Sequence, residues 1–128
     1  MIQQFLIDGI AYNVHVLSLE RSFEIAEEIF EQKTMSGEIY REPLGTYYHY
    51  TMKVMEKDGD WASFDAFWEA ISKPVKSHLC VFPYNQKTMM QQMYIKSGKQ
   101  SISKLYINKT EWDTLEVKFY AKKPKVMA

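Results

Sequence analysis

The sequence predicts a mostly β, antiparallel fold with one covering helix, and three observations lead there. Aromatic residues make up 15% of the 128 positions, with nine Tyr, seven Phe and three Trp, and such side chains favour pleated surfaces over long helices. Several stretches alternate apolar and polar residues with a period of two, as half-buried strands do. The clearest helical spacing is in Asp60 to Ser72, which carries a broad apolar stripe. The expected class is α+β, mostly β: an antiparallel β-sandwich or open barrel of about seven to eight strands, flanked by an α-helix over about 60–72.

The elements follow in chain order. Ile2 to Ile7 reads as a short strand, and Asp8-Gly9 is a two-residue hairpin signal, because both central residues of that turn need positive φ. Ile10 to Leu19 alternates, with Ile10, Tyr12, Val14 and Val16 on one face, so the chain should open with a β-hairpin. Glu20 to Lys33 reads two ways. Phe23, Ala26, Ile29 and Phe30 recur at helical spacing, which favours a second short helix over about 22–32; the alternative is a long acidic excursion between strands. Glu38 to Glu42 could form a strand broken by Pro43-Leu44-Gly45. Thr46 to Glu56 should be the longest strand, with Tyr48, Tyr50, Met52 and Val54 opposed to Tyr47, His49, Thr51 and Lys53.

Lys57-Asp58-Gly59 turns the chain into the helix. Asp60 is placed to cap it, Trp61, Phe64, Phe67, Trp68 and Ile71 form its stripe, and Pro74 stops it. Val75 to Pro83 and Thr88 to Ser97 are strands around a turn at Tyr84-Asn85-Gln86-Lys87, and Gly98-Lys99 turns again. In Ser101 to Ile107 the apolar phase reverses between Ile102 and Leu105, which predicts a bulge. Asn108 to Asp113 reads as a loop. Thr114 to Ala121 closes the fold with Leu115, Val117, Phe119 and Ala121 on one face, and Pro124 ends it.

Bulk properties narrow the function. A chain of 128 residues fits one β-rich domain, 1–128. Its 16 basic and 16 acidic side chains balance, and no segment clusters Lys and Arg as phosphate contacts require, so nucleic acid is not the expected partner. The uninterrupted apolar runs fall far short of a membrane span, and the first residues lack a secretory pattern. A protein made in the cytoplasm, without a signal peptide or membrane insertion, is the expectation.

Site chemistry has few markers. The single cysteine, Cys80, lies in the apolar run Leu79 to Phe82 and reads as a buried hydrophobe. His15, His49 and His78 fall on different predicted strands, and only His78-x-Cys80 has ligand-like spacing, two ligands short of a zinc site. The acidic group Glu20, Glu24, Glu27, Glu28 and Glu31 lacks the Asp/Asn and Gly pattern of a calcium loop and reads as a solvated face or a patch for a basic partner. Neither GxSxG nor a phosphate-cradling glycine loop is present. The expectation is therefore no catalytic residue, no metal and no cofactor. A small ligand-binding module or enzyme, with a barrel pocket lined by Tyr, Trp and His, is the alternative.

The run Tyr47-Tyr48-His49-Tyr50 puts aromatics on both strand faces. Two readings stand side by side: cross-strand aromatic pairs within the sheet, or a contact surface for another subunit. The working surface should then include Glu24, Glu27, Glu28, Tyr40, Arg41, Tyr47 and His49.

Short motifs along most of the chain resemble a family of small tail-associated proteins of tailed phages and prophages. They are Asp8-Gly9, Arg21-Ser22-Phe23, Lys33 through Arg41, Leu44-Gly45-Thr46-Tyr47-Tyr48-His49-Tyr50, Ser72 through His78, Pro83-Tyr84-Asn85-Gln86, and Trp112 through Pro124. Lys33, Asn85 and Thr114 depart from the family pattern, which has Arg, Gly and Gly there. The resemblance implies a tail-tube-like β-sandwich or barrel with a flanking helix. It implies a role in the virion or in tail assembly, other phage tail proteins as partners, a homo-oligomer or docking on a ring, and a location in the host cytoplasm and then the virion. It supplies no catalytic residue.

Overall fold

The computed structural model describes residues 5–27, 32–33, 37, 39–40 and 43–127. Its elements are β1 (Leu6–Ile7), β2 (Val14–Glu27), β3 (Gln32–Lys33), β4 (Ile39–Tyr40), β5 (Pro43–Glu56), α1 (Trp61–Ile71), β6 (His78–Tyr84), β7 (Lys87–Lys99), β8 (Ile102–Leu105), β9 (Thr110–Trp112), β10 (Leu115–Ala121) and β11 (Val126–Met127). All strand pairings are antiparallel. The α+β, mostly β class with one helix among the described residues is as the aromatic content and alternation predict.

The main sheet runs β1-β6-β7-β10-β5, with β2 along β5's other edge and β11 joining β5 beyond the end of β10. Laid flat, the five gaps from β1 to β2 would span about 24 Å. Asp8 and Gly9, both at positive φ, bring Ile7 and Ile10 together through two backbone hydrogen bonds. The residues from Ile10 to Val14 then reach no more than about 14 Å. The sheet therefore curls, and α1 lies in its concavity. Phe67 of α1 meets Phe5, just before β1, and Tyr12, just before β2, in edge-on ring contacts with centroids at 6.2 and 5.4 Å. Asn13 fastens the same corner, donating to Ser63 Oγ from its backbone and to Asp60 Oδ2 from its side chain.

The core follows the predicted parity. Tyr50, Met52 and Val54 of β5 and Leu115, Val117, Phe119 and Ala121 of β10 are buried. From α1, Phe64, Phe67 and Ile71 pack onto them. Asp60 Oδ1 accepts from the Ser63 N–H as the helix cap. Its carboxyl is held below the usual range by the Asn13 side chain and then the Ser63 amide.

Five expectations are corrected. Residues 20–27 are strand, not helix: β2 pairs with β5 from Val14↔Glu56 to Glu27↔Pro43. A long partner strand outweighs a local 3.6-residue period that has only a few turns to act through. Of the predicted helix's remainder, 28–31 lie outside the described residues and Gln32 belongs to β3. The opening hairpin is a single bridge, since β1 pairs with β6 and β2 with β5. Pro43-Leu44-Gly45 starts β5 instead of breaking a strand; proline at a first strand position needs no ladder donor. Gly98-Lys99 continues β7, and part of the expected loop 108–113 is β9. The bulge expected near Ile102 is present, between Ile102 and Lys104.

Candidate functional site

The ribbon of β2 and β5 places side chains by parity. Register pairs Arg21 with Tyr50, Phe23 with Tyr48 and Ile25 with Thr46, while Ser22 faces His49 and Glu24 faces Tyr47. The first set shares the concave face with buried Tyr50; the second lies on the outer face.

On the outer face, three of the expected contact residues come together. Glu24 and Tyr47 are cross-strand neighbours, and Glu24 Oε2 lies 4.0 Å from His49 Nε2. His49 Nδ1 accepts the backbone N–H of Ala121 at 3.0 Å, which fixes the neutral tautomer with its proton on Nε2. This bond forms where β10 leaves β5, after Phe119↔Tyr50, so the imidazole replaces a backbone acceptor. Burial pushes the His49 pKa down, against the pull of Glu24 and with the help of Lys118. The His49 ring meets Tyr120, which stacks on Tyr94 at 5.3 Å, with the Lys96 and Lys118 ammonium groups over the Tyr120 ring. Cross-strand aromatic pairing thus accounts for His49 on the second face of β5, while Tyr47 faces Glu24. Glu27 ends β2 opposite Pro43. Tyr40 lies on β4, paired in register with Gln32. Arg41 and Glu28 lie outside the described residues.

A second group joins β1 to β6. Asp8 Oδ2 lies 2.7 Å from His78 Nδ1, and Asp8 Oδ1 accepts the Leu79 N–H. Burial would raise the Asp8 pKa, but the His78 and Leu79 hydrogen bonds, with the charges of His78 and Lys73, bring it below the usual value. Cys80 stands two residues from His78, an order reminiscent of a nucleophile, base and orienting acid. The geometry does not make one. The Cys80 thiol donates toward the His78 carbonyl oxygen, and burial together with the Asp8 charge pushes its pKa to about 12. It is a buried hydrophobe, as the flanking apolar run predicts. Among the described residues no group of three or more His, Cys, Asp or Glu side chains is arranged to hold a metal ion.

The third group was not singled out by sequence. Beyond α1, Arg21, Phe23, Tyr48, Tyr50, Tyr84 and Asn85 enclose a cleft of about 400 Å³ on the concave face, and Ser22, between Arg21 and Phe23 in the chain, adds to its lining. Tyr50 forms its floor, stacked on Phe82 at 4.7 Å and donating its hydroxyl to the Pro83 carbonyl at 2.8 Å. Tyr48 and Tyr84 pack at 5.6 Å. The hydrogen bond to Tyr84, then desolvation, raises the Tyr48 pKa. Arg21 Nη1 donates to Asn85 Oδ1 at 2.8 Å, and Asn85 holds φ +52° in the β6–β7 turn, a conformation asparagine tolerates. The pocket foreseen for a ligand-binding module was to be lined by Tyr, Trp and His; this lining has the tyrosines alone of those three types. Reading 22–32 as a helix hid it, because only a strand register sets Arg21 and Phe23 beside Tyr50 and Tyr48.

No protein-family model matches the chain, and no curated protein shows significant similarity to it.

Proposed function

We propose that this protein is a prophage-encoded structural or assembly component of a phage tail, working through protein–protein contacts and not through catalysis. The observation that carries this reading is the outer edge of β2. Over its 14 residues β2 pairs with β5 on one side, and its other side has no strand partner among the described residues. Leu17, Phe23 and Ile25 are exposed on this strand, Phe23 and Ile25 on its concave face. An open edge of this length offers unpaired backbone donors and acceptors to another chain's strand, although Glu20, Arg21 and Glu24 are exposed along it as well. The β8–β9 hairpin adds support: it belongs to a separate two-stranded sheet and carries Leu105, Tyr106 and Ile107 exposed at its tip. No described helix is long and apolar enough to cross a membrane.

Partners would be other tail proteins or further copies of the chain, met in the host cytoplasm and kept in the virion. Light scattering after size exclusion tests this. The expected result is a mass that rises with concentration in multiples of 15.2 kDa, and a return toward monomer when Leu17→Lys and Ile25→Lys are combined. A wild-type chain that stays monomeric at high concentration, and that captures none of the tail proteins encoded beside it, would overturn the proposal.

A further inference from the structure

We propose that the Arg21–Tyr48–Tyr84–Asn85 cleft binds a small organic anion, specifically a carboxylate carried on a flat, apolar ring.

Size and lining come first. A cleft of about 400 Å³ falls in the range of small-molecule sites, which combine mostly apolar walls with a few placed polar groups. Tyr48, Tyr84 and the Tyr50 floor give ring surfaces, and Phe23, 68% exposed, stands at the rim. Flat rings favour offset or edge-on contact with such walls.

Charge decides the ligand class. Among the described residues, Arg21 is the only cation lining the cleft. One nitrogen, Nη1, is fixed by Asn85, and no carboxylate pairs with the guanidinium among the described residues. A guanidinium keeps five donors in a rigid fork that matches a carboxylate. Asn85, its oxygen committed to Arg21, keeps an amide NH₂ free to donate. A second depression lined by Leu19, Arg21, Tyr50, Pro83 and Asn85 adjoins the first, so the guanidinium is reached from two sides. One cation without a lysine or a helix N-terminus beside it suits a single negative charge better than a phosphate. The electrostatics agree: the Arg21 charge acts on the hydroxyls of both Tyr48 and Tyr50.

Arg21 is exposed, with one nitrogen held by Asn85 and the rest of the fork open to solvent. Its remaining donors have no protein carboxylate among the described residues, and an arriving carboxylate would take the place of the water that hydrates them. This inference does not rest on the tail proposal: the chain can self-associate without binding an anion, or bind one as a monomer.

Benzoate is the probe, titrated into the full-length ¹⁵N-labelled protein and followed by amide chemical shifts. Expected are saturable shifts at residues 21–23, 48–50 and 84–85, with acetate (no ring), benzyl alcohol (no charge) and inorganic phosphate each weaker by about tenfold or more. Arg21→Gln should weaken benzoate by a similar factor. Should that variant lose its native spectrum, Arg21→Lys, which keeps the charge and loses the fork, should still weaken it several-fold. Shifts that do not saturate, benzyl alcohol binding as well as benzoate, phosphate binding more tightly, or an unchanged affinity in a folded Arg21 variant would each overturn the proposal.

Discussion

The two halves of the concave face use similar residues for opposite ends. Under α1, Met52, Val54, Leu115 and Val117 are sealed by Phe64, Phe67 and Ile71. Beyond the helix, the same faces of β5 and β6 continue through Tyr48 and Tyr84, and β2 adds Arg21 and Phe23, but nothing described lies over them. In the covered half aliphatic side chains and Phe exclude water, and in the open half Phe23 alone of the named phenylalanines is exposed. Tyr and Arg sit where water enters, because their polar ends need it. The difference shows that the core's boundary is set by the length of the helix, not by the sheet, which extends past it.

The sharpest way to break the comparison is to empty the covered half. Phe67→Ala removes the ring that joins α1 to Phe5 and Tyr12, and denaturant unfolding should show a loss of about 3–5 kcal/mol. An equivalent truncation in the open half, Tyr84→Ala, gives up a partly exposed ring and its contact with Tyr48. It should cost only about 0.5–1.5 kcal/mol, and equal losses in the two variants would show that the open half is core after all.

The smallest effect is one of pH, and it belongs to the outer face. His49 has a folded pKa below its ordinary 6.5, so the unfolded chain takes up a proton on this residue before the folded one does. Its contribution is fully present above pH 6.5 and is lost as pH falls through the depressed folded value. Protonating Nδ1 would also break the Ala121 hydrogen bond. Stability measured from pH 7.5 downward should therefore fall more steeply in wild type than in His49→Gln, whose amide oxygen can still accept from Ala121. Identical pH slopes would contradict the assignment.

Legibility differed by element. The helix was readable because Asp60 and the aromatic stripe act locally, within a few turns. The β5 and β10 faces were readable because strand alternation survives whatever the partners are. The segment 20–27 was misread because its apolar spacing fits a helix, and only pairing with β5 makes it extended. Gly45 shows a further non-local demand. A Cβ there would come within 2.8 Å of the Pro124 side chain and 2.9 Å of the Val126 carbonyl oxygen, so glycine is needed because the C-terminal segment crosses close by, some 80 residues on in the chain. Of the residues expected at a contact surface, Glu24, Tyr47 and His49 meet on the outer face, where His49 is spent on Ala121 and on the Tyr120 ring.

Sequence alone determined the mostly β class, the capped helix after Asp60, the parity of the core strands and the inert, buried character of Cys80. These depend on local periodicity, capping and the chemistry of short runs. Tertiary structure decided the rest: the partner of β2, the curl that closes the sheet around α1, and the meeting of Arg21 with Asn85, 64 residues apart. Register between distant strands has no local signature, because every strand offers the same backbone donors and acceptors to any partner.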